Sequence, residues 1–209
     1  MLKQDGNTVT LPGIVAAVAN GEVVYHKLPT GYTAANYVRS NANAYFTTGL
    51  YLTSESEVTA DMQFENAGGN TYGCFSGTNA GDNFCLYAGS ASSDAYVRYN
   101  GEVARVFRPT SGTRYKLRHN KNGFWVDGTQ LAQAYSEAEF TCSNPFCVGT
   151  LSGSTSAKLK GRVYRLTVRT NGAVVMDLVP AQNSSNVYGL YDTIGQMFYT
   201  SAGTAFSGG

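Results

Sequence analysis

Residues 57–65 read EVTADMQFE, with polar and apolar side chains in strict alternation. In an extended strand successive side chains point to opposite faces. Val58, Ala60, Met62 and Phe64 therefore share one face that must be buried, and Glu57, Thr59, Asp61, Gln63 and Glu65 share the other. A helix would scatter the apolar set around its circumference, because its period is 3.6 residues. The two-residue period returns at 22–26, 95–99, 103–107, 115–119, 162–169 and 173–179. Four dipeptides punctuate these runs: Asn100-Gly101, Asn122-Gly123, Asp127-Gly128 and Asn171-Gly172. Such pairs suit type I′ turns, which need positive φ at both central residues. Many short strands joined by such turns predict an all-β fold of two antiparallel sheets packed face to face. Two segments read differently. Residues 131–140 (LAQAYSEAEF) have the composition for a turn or two of helix, and 13–19 is ambiguous between helix and strand.

The apolar share of 43% over 209 residues is enough for one sizeable core. Charged residues make up only 14%, against roughly 25% in a typical soluble domain. Tyr, Asn, Ser and Thr fill the remaining surface, which hydrogen-bonds without holding strong charge and so suits carbohydrate contact or packing beside other subunits. The net charge is +1 and no basic run stands out, so nucleic acid is not expected as a partner. No run of 18 apolar residues exists to cross a membrane as a helix. The first residues do not form a basic start followed by an apolar stretch, so synthesis in a cytoplasm without signal-directed export is expected.

The Leu28-Pro29-Thr30-Gly31 turn sets residues 1–27 apart as an N-terminal arm before a main domain at 28–209. An arm of this length is too short to build its own core. It is expected to pair with the main domain, with a neighbouring copy in a homo-oligomer, or with another protein. Cys74, Cys85, Cys142 and Cys147 have spacings that miss the paired knuckles of a zinc site, and they read as small buried thiols or as two turn-spanning pairs.

Three blocks carry a family resemblance: LPTGYTAANYVRSNANAYFTTGL at 28–50, YKLRHNKNGFWVDGT at 115–129, and the stretch from GRVYRLTVRTNGAVVMDLVPAQ to the final SGG at 161–209. Together they resemble the concanavalin A-like, laminin-G-like jelly-roll domains of phage and prophage structural proteins. Phe46-Thr47-Thr48-Gly49 departs from that pattern, which often has an acidic residue before Thr-Gly. The resemblance implies a jelly-roll sandwich and a virion setting. The expected role is an accessory virion protein, a capsid decoration or compact tail component, anchored to other virion proteins through residues 1–27. A lectin-like module for host glycans is the alternative reading.

No catalytic constellation stands out, and an enzyme is not expected. Asp61 and Glu65 would face the same way about 13 Å apart along a strand, too far for a retaining glycosidase pair. His26 sits in the arm, and His119, beside the turn at 120–123, is expected at the surface. For glycan or partner contact the candidates are Trp125, whose neighbours Phe124 and Val126 point the opposite way, and the same-face set Tyr96, Arg98 and Asn100. No cofactor is expected, with calcium at Asp82 and Asn83 as the alternative that lectin-like sandwiches suggest. Asp192, at a bend after Tyr191, is read as a structural Asx-turn residue.

Overall fold

The computed structural model describes residues 2–4, 7–9, 14–19, 22–65, 72–76, 84–88, 94–135, 139–150 and 158–209. Two hairpins come first: β1 (Leu2–Gln4) with β2 (Asn7–Val9), and β3 (Ile14–Ala19) with β4 (Glu22–Lys27). Within the ambiguous segment at 13–19, the described residues 14–19 are therefore strand. There follow β5 (Tyr32–Ala34), β6 (Val38–Asn41), β7 (Phe46–Thr47), β8 (Ser56–Phe64), β9 (Tyr72–Ser76), β10 (Phe84–Ala88), β11 (Ala95–Tyr99) and β12 (Glu102–Phe107). Next come β13 (Arg114–Asn120), β14 (Gly123–Val126), β15 (Thr129–Ala132) and β16 (Cys147–Val148). The chain closes with β17 (Lys160–Thr170), β18 (Ala173–Asn183), β19 (Tyr188–Asp192), β20 (Met197–Tyr199) and β21 (Ser207–Gly208).

These strands make an all-β sandwich. A six-stranded antiparallel sheet runs β12-β11-β10-β9-β16-β7, and an eleven-stranded one runs β15-β14-β13-β8-β17-β18-β19-β20, with β5, β6 and β21 alongside. Both sheets send their alternate apolar residues into one core. Val58, Ala60, Met62 and Phe64 of β8 meet Phe84, Leu86, Val97 and Tyr99 of the smaller sheet in a single buried cluster. Each large side chain removed from water there contributes about 1.5–3 kcal/mol. The centre of the larger sheet is β17, flanked by β8 along its length and by β6 and then β18 on its other side. The last strand, β21, pairs with β6 and so ties the C-terminus to the beginning of the sandwich.

Three of the four turn dipeptides have positive φ at both residues: Asn100-Gly101, Asp127-Gly128 and Asn171-Gly172. Asn122-Gly123 differs, because only Gly123 has positive φ, at 128°. A Cβ there would sit 2.1 Å from the Ala132 carbonyl oxygen, so this glycine serves the close approach of β15 rather than an I′ turn. The helix expected at 131–140 is absent from the described residues: Leu131 and Ala132 belong to β15, and 133–135 and 139–140 are irregular. The pull of β14 on a short edge segment wins over its helix-favouring composition.

A second correction falls on β17. The two-residue period at 162–169 would put Tyr164, Leu166 and Val168 on one face, yet only Leu166 and Val168 reach the core. A β-bulge between Val163 and Arg165 inserts Tyr164, which shifts the alternation so that both Tyr164 and Arg165 lie on the outer face.

His119 is buried, not exposed. It follows Tyr115 and Leu117 on the inward face of β13, and the strand runs on through Asn120, so the turn lies one residue beyond it. Its ring packs on Phe84 at 4.4 Å between centroids, Nε2 lies 3.2 Å from the Tyr135 hydroxyl, and Nδ1 has no partner among the described residues. Asp192 behaves as read: its Oδ1 accepts the Ile194 N–H at 3.1 Å, closing the Asx-turn, and also the Asp177 N–H at 3.0 Å.

Candidate functional site

The two groups of contact candidates lie on opposite sides of the sandwich, Tyr96 and Arg98 on one and Trp125 on the other. On β11, Ala95, Val97 and Tyr99 point into the core, so Tyr96 and Arg98 stand on the outer face of the smaller sheet. On β14, Phe124 and Val126 are in the same core, which sends Trp125 out through the larger sheet. Asn100 occupies the turn after β11 with φ 46°.

On the smaller sheet the partner of Tyr96 is Tyr87, directly opposite on β10. Their rings stack with centroids 5.6 Å apart and 20° between planes. Arg98 reaches across to the same ring: its guanidinium carbon is 5.3 Å from the Tyr87 centroid, and Nε donates to the Tyr87 hydroxyl at 3.3 Å. Beyond Tyr96 on β12 stands Arg105, which with Arg108 clamps the buried Asp94 carboxylate at 3.0 and 2.9 Å. The result is a pair of half-buried aromatic rings edged by phenol hydroxyls and guanidinium donors.

The outer face of the larger sheet is organised differently. In register across it lie Arg39, Arg162, Gln63 and Arg114 in one row, and Arg165, Asp61 and Lys116 in the next. Thr167, Thr59, Arg118 and Trp125 form a third row. Three arginines lie over three rings: Arg118 over Trp125 at 3.8 Å, Arg114 over Tyr164 at 3.7 Å and Arg162 over Tyr37 at 4.5 Å. Trp125 is thus half-buried, and its apolar surface is sheltered by the Arg118 stem and guanidinium.

Asp61 and Glu65 belong to this face as structural anions. Asp61 takes a two-pronged bond from Arg114, at 2.5 and 2.6 Å. Glu65 sits between Arg39 at 2.6 Å and Arg162 at 3.1 Å. Burial pushes the Glu65 carboxyl up, but the hydrogen bond and charge of Arg39, joined by Arg162, more than offset this and hold it below the usual carboxylate range. A general acid needs the opposite shift, so Glu65 is not poised for proton donation.

Asp177 is held in the same sense. Burial raises it, while the Arg165 fork at 2.8 and 2.9 Å and the Thr193 and Thr167 hydroxyls lower it further. Cys85, Cys142 and Cys147 are buried thiols without a disulfide, and burial pushes Cys142 up to about 12. The Cys74 thiol lies outside the described side chains, and the calcium candidates Asp82 and Asn83 lie outside the described residues.

Sequence reasoning missed Tyr87, Tyr37 and Tyr164. The run NFCLYA at 83–88 carries a strand signal for Tyr87, but its register against Tyr96 depends on the hairpin that joins them. Tyr164 depends on the bulge.

No protein-family model and no curated protein matches the sequence. Among solved structures the fold is similar to that of a Bacteroides ovatus ATCC 8483 protein provisionally described as carbohydrate-binding, with a TM-score of 0.57 and 16% identity. The match covers 93% of this chain and 65% of that one, so this chain spans just under two thirds of its neighbour's length. A Trypanosoma rangeli sialidase solved with sialic acid matches at a TM-score of 0.45 and 11% identity, over 82% of this chain and 33% of the sialidase. At these identities the likeness is one of fold: a β-sandwich.

Proposed function

We propose that the chain is a carbohydrate-binding β-sandwich whose glycan contact is the Tyr87–Tyr96–Arg98 patch. The observation that carries this reading is the stacked tyrosine pair on an outer sheet face with a guanidinium bonded to one of its hydroxyls. A pyranose offers an apolar C–H face and a rim of hydroxyls. Aromatic rings match the first, and phenol and guanidinium groups match the second. The fold likeness to the Bacteroides ovatus protein is in keeping with such a role.

The test is a glycan array followed by titration calorimetry on the best ligand. Tyr96→Ala is expected to weaken binding by at least about tenfold, a typical loss when a buried aromatic contact is truncated. Trp125→Ala, on the opposite face, is expected to leave it unchanged. Failure of the native protein to hold any glycan, or full binding by Tyr96→Ala, would defeat the proposal. Release of reducing sugar from a bound glycan would replace binding with catalysis.

The resemblance of 28–50, 115–129 and 161–209 to phage structural domains supports reading the setting as a virion, with residues 1–27 as the anchoring segment. Loss of residues 1–27 is then expected to abolish incorporation into particles, and unchanged incorporation would refute that anchoring.

A further inference from the structure

We infer that the outer face of the larger sheet is a second contact surface, one that takes an acidic polysaccharide, with Lys116 and Arg118 as its anion-binding residues. The inference rests on the carbohydrate reading for the class of polymer, but it concerns the other face of the molecule and other residues.

The chain as a whole is nearly neutral, at +1. Yet the outward positions of β6, β13 and β17 are filled with Arg39, Arg114, Lys116, Arg118, Arg162 and Arg165, while the acidic residues among them sit mainly on β8 between these strands. The carboxylates are already spent. Asp61 is held by Arg114, Glu65 by Arg39 and Arg162, Asp177 by Arg165, and Glu57 takes the Asn120 amide at 2.6 Å. Basic residues are left over. Lys116 and Arg118, both exposed, stand two residues apart on β13, about 7 Å along the strand. Neither is in an ion pair among the described residues.

Arg118 is also pre-set. Its guanidinium carbon lies 3.8 Å from the centre of the Trp125 ring, which positions the group while its N–H donors can still meet a carboxylate or sulfate. An ordered planar fork loses less freedom on binding than a side chain moving freely in water. Thr59, beside Arg118 in the same row, adds a hydroxyl within the footprint.

The anion spacing selects the polymer. Duplex nucleic acid carries one charge per roughly 1.7 Å, and a run that dense would also lie over Asp61 and Glu57. A polysaccharide with one carboxylate or sulfate per sugar or per disaccharide can place its anions on Lys116 and Arg118 and lay neutral rings across the paired charges between.

The experiment uses the full chain over three immobilised polymers: a sulfated or uronate-bearing polysaccharide, a neutral polysaccharide and single-stranded DNA. Binding to the acidic polysaccharide is expected to weaken roughly tenfold between about 50 and about 200 mM salt, as neutralising two anions of a polyelectrolyte requires. Lys116→Ala with Arg118→Ala is expected to remove most of that binding and its salt dependence, and Lys116→Glu with Arg118→Glu to abolish it.

Acidic-polysaccharide binding that survives both double variants overturns the inference, while the Tyr96 reading stands on its own result. A preference for DNA over the acidic polysaccharide also overturns it. If the native chain does not hold the acidic polysaccharide, the inference fails, while the Tyr96 reading is decided by the glycan array.

Discussion

His119 shows how a single residue ties stability to pH. Burial holds its pKa down to about 3, against an ordinary value of 6.5. Below pH 6.5 the unfolded chain binds a proton that the folded chain does not, so stability falls as pH drops through 6.5 and continues to fall toward 3. At pH 5 the loss from this residue is about 2 kcal/mol. The paired carboxylates Glu65 and Asp177, whose folded values are lowered, lose their contribution only below about 4.5, so the window from 5 to 7 belongs to the histidine. Urea unfolding at pH 7.5 and pH 5 is expected to show this loss in the native chain and little of it in His119→Phe. A native chain equally stable at both pH values would contradict burial of a neutral imidazole. The alternation at 115–119 already puts His119 on the face of Tyr115 and Leu117; its place before a turn suggests exposure, and its burial is decided by the packing of Phe84 and Tyr135 from distant segments.

Among the elements, β17 sets the geometry of both the core and the larger sheet's outer face. Gly161 lies where β17 crosses β8, and a Cβ there would meet the Gln63 carbonyl oxygen at 2.1 Å. Gly101, in the β11–β12 turn, has φ 82° and open space around it. The two glycines are thus required for different reasons: one for close backbone approach, the other for conformation alone. Chemical denaturation is expected to show Gly161→Ala costing more than about 2 kcal/mol, since the sheet must part to admit a methyl, and Gly101→Ala about 1 kcal/mol. Equal costs would mean that β17 and β8 can separate freely at that point. The I′ turns were legible because their chemistry is local: positive φ at two residues selects Asn-Gly and Asp-Gly. The bulge at Tyr164 was not. It is a mismatch in count between two strands just over a hundred residues apart at that point, and nothing near Tyr164 records it.

At the scale of the molecule, the main cluster of described side chains draws on both sheets and gathers residues from Val38 to Phe206. Removing residues 1–27 is expected to leave a cooperatively folding sandwich whose denaturation midpoint shifts little, measurable by circular dichroism; loss of cooperative unfolding would show that the arm supplies part of the core. What the sequence by itself determined is whatever depends on neighbours along the chain: the alternating runs at 57–65, 95–99, 115–119 and 173–179, the tight turns, and therefore the two-layer β architecture, because alternation and turn chemistry are read over a few residues. Only the tertiary structure decided which outward residues share a surface. It separated Trp125 from Tyr96 and Arg98 by the full thickness of the sandwich, brought Tyr87 against Tyr96, and gathered scattered arginines into rows across β6, β17, β8 and β13. Register between strands distant in sequence is set by how whole faces pack, and that cooperative choice leaves no mark on any one segment.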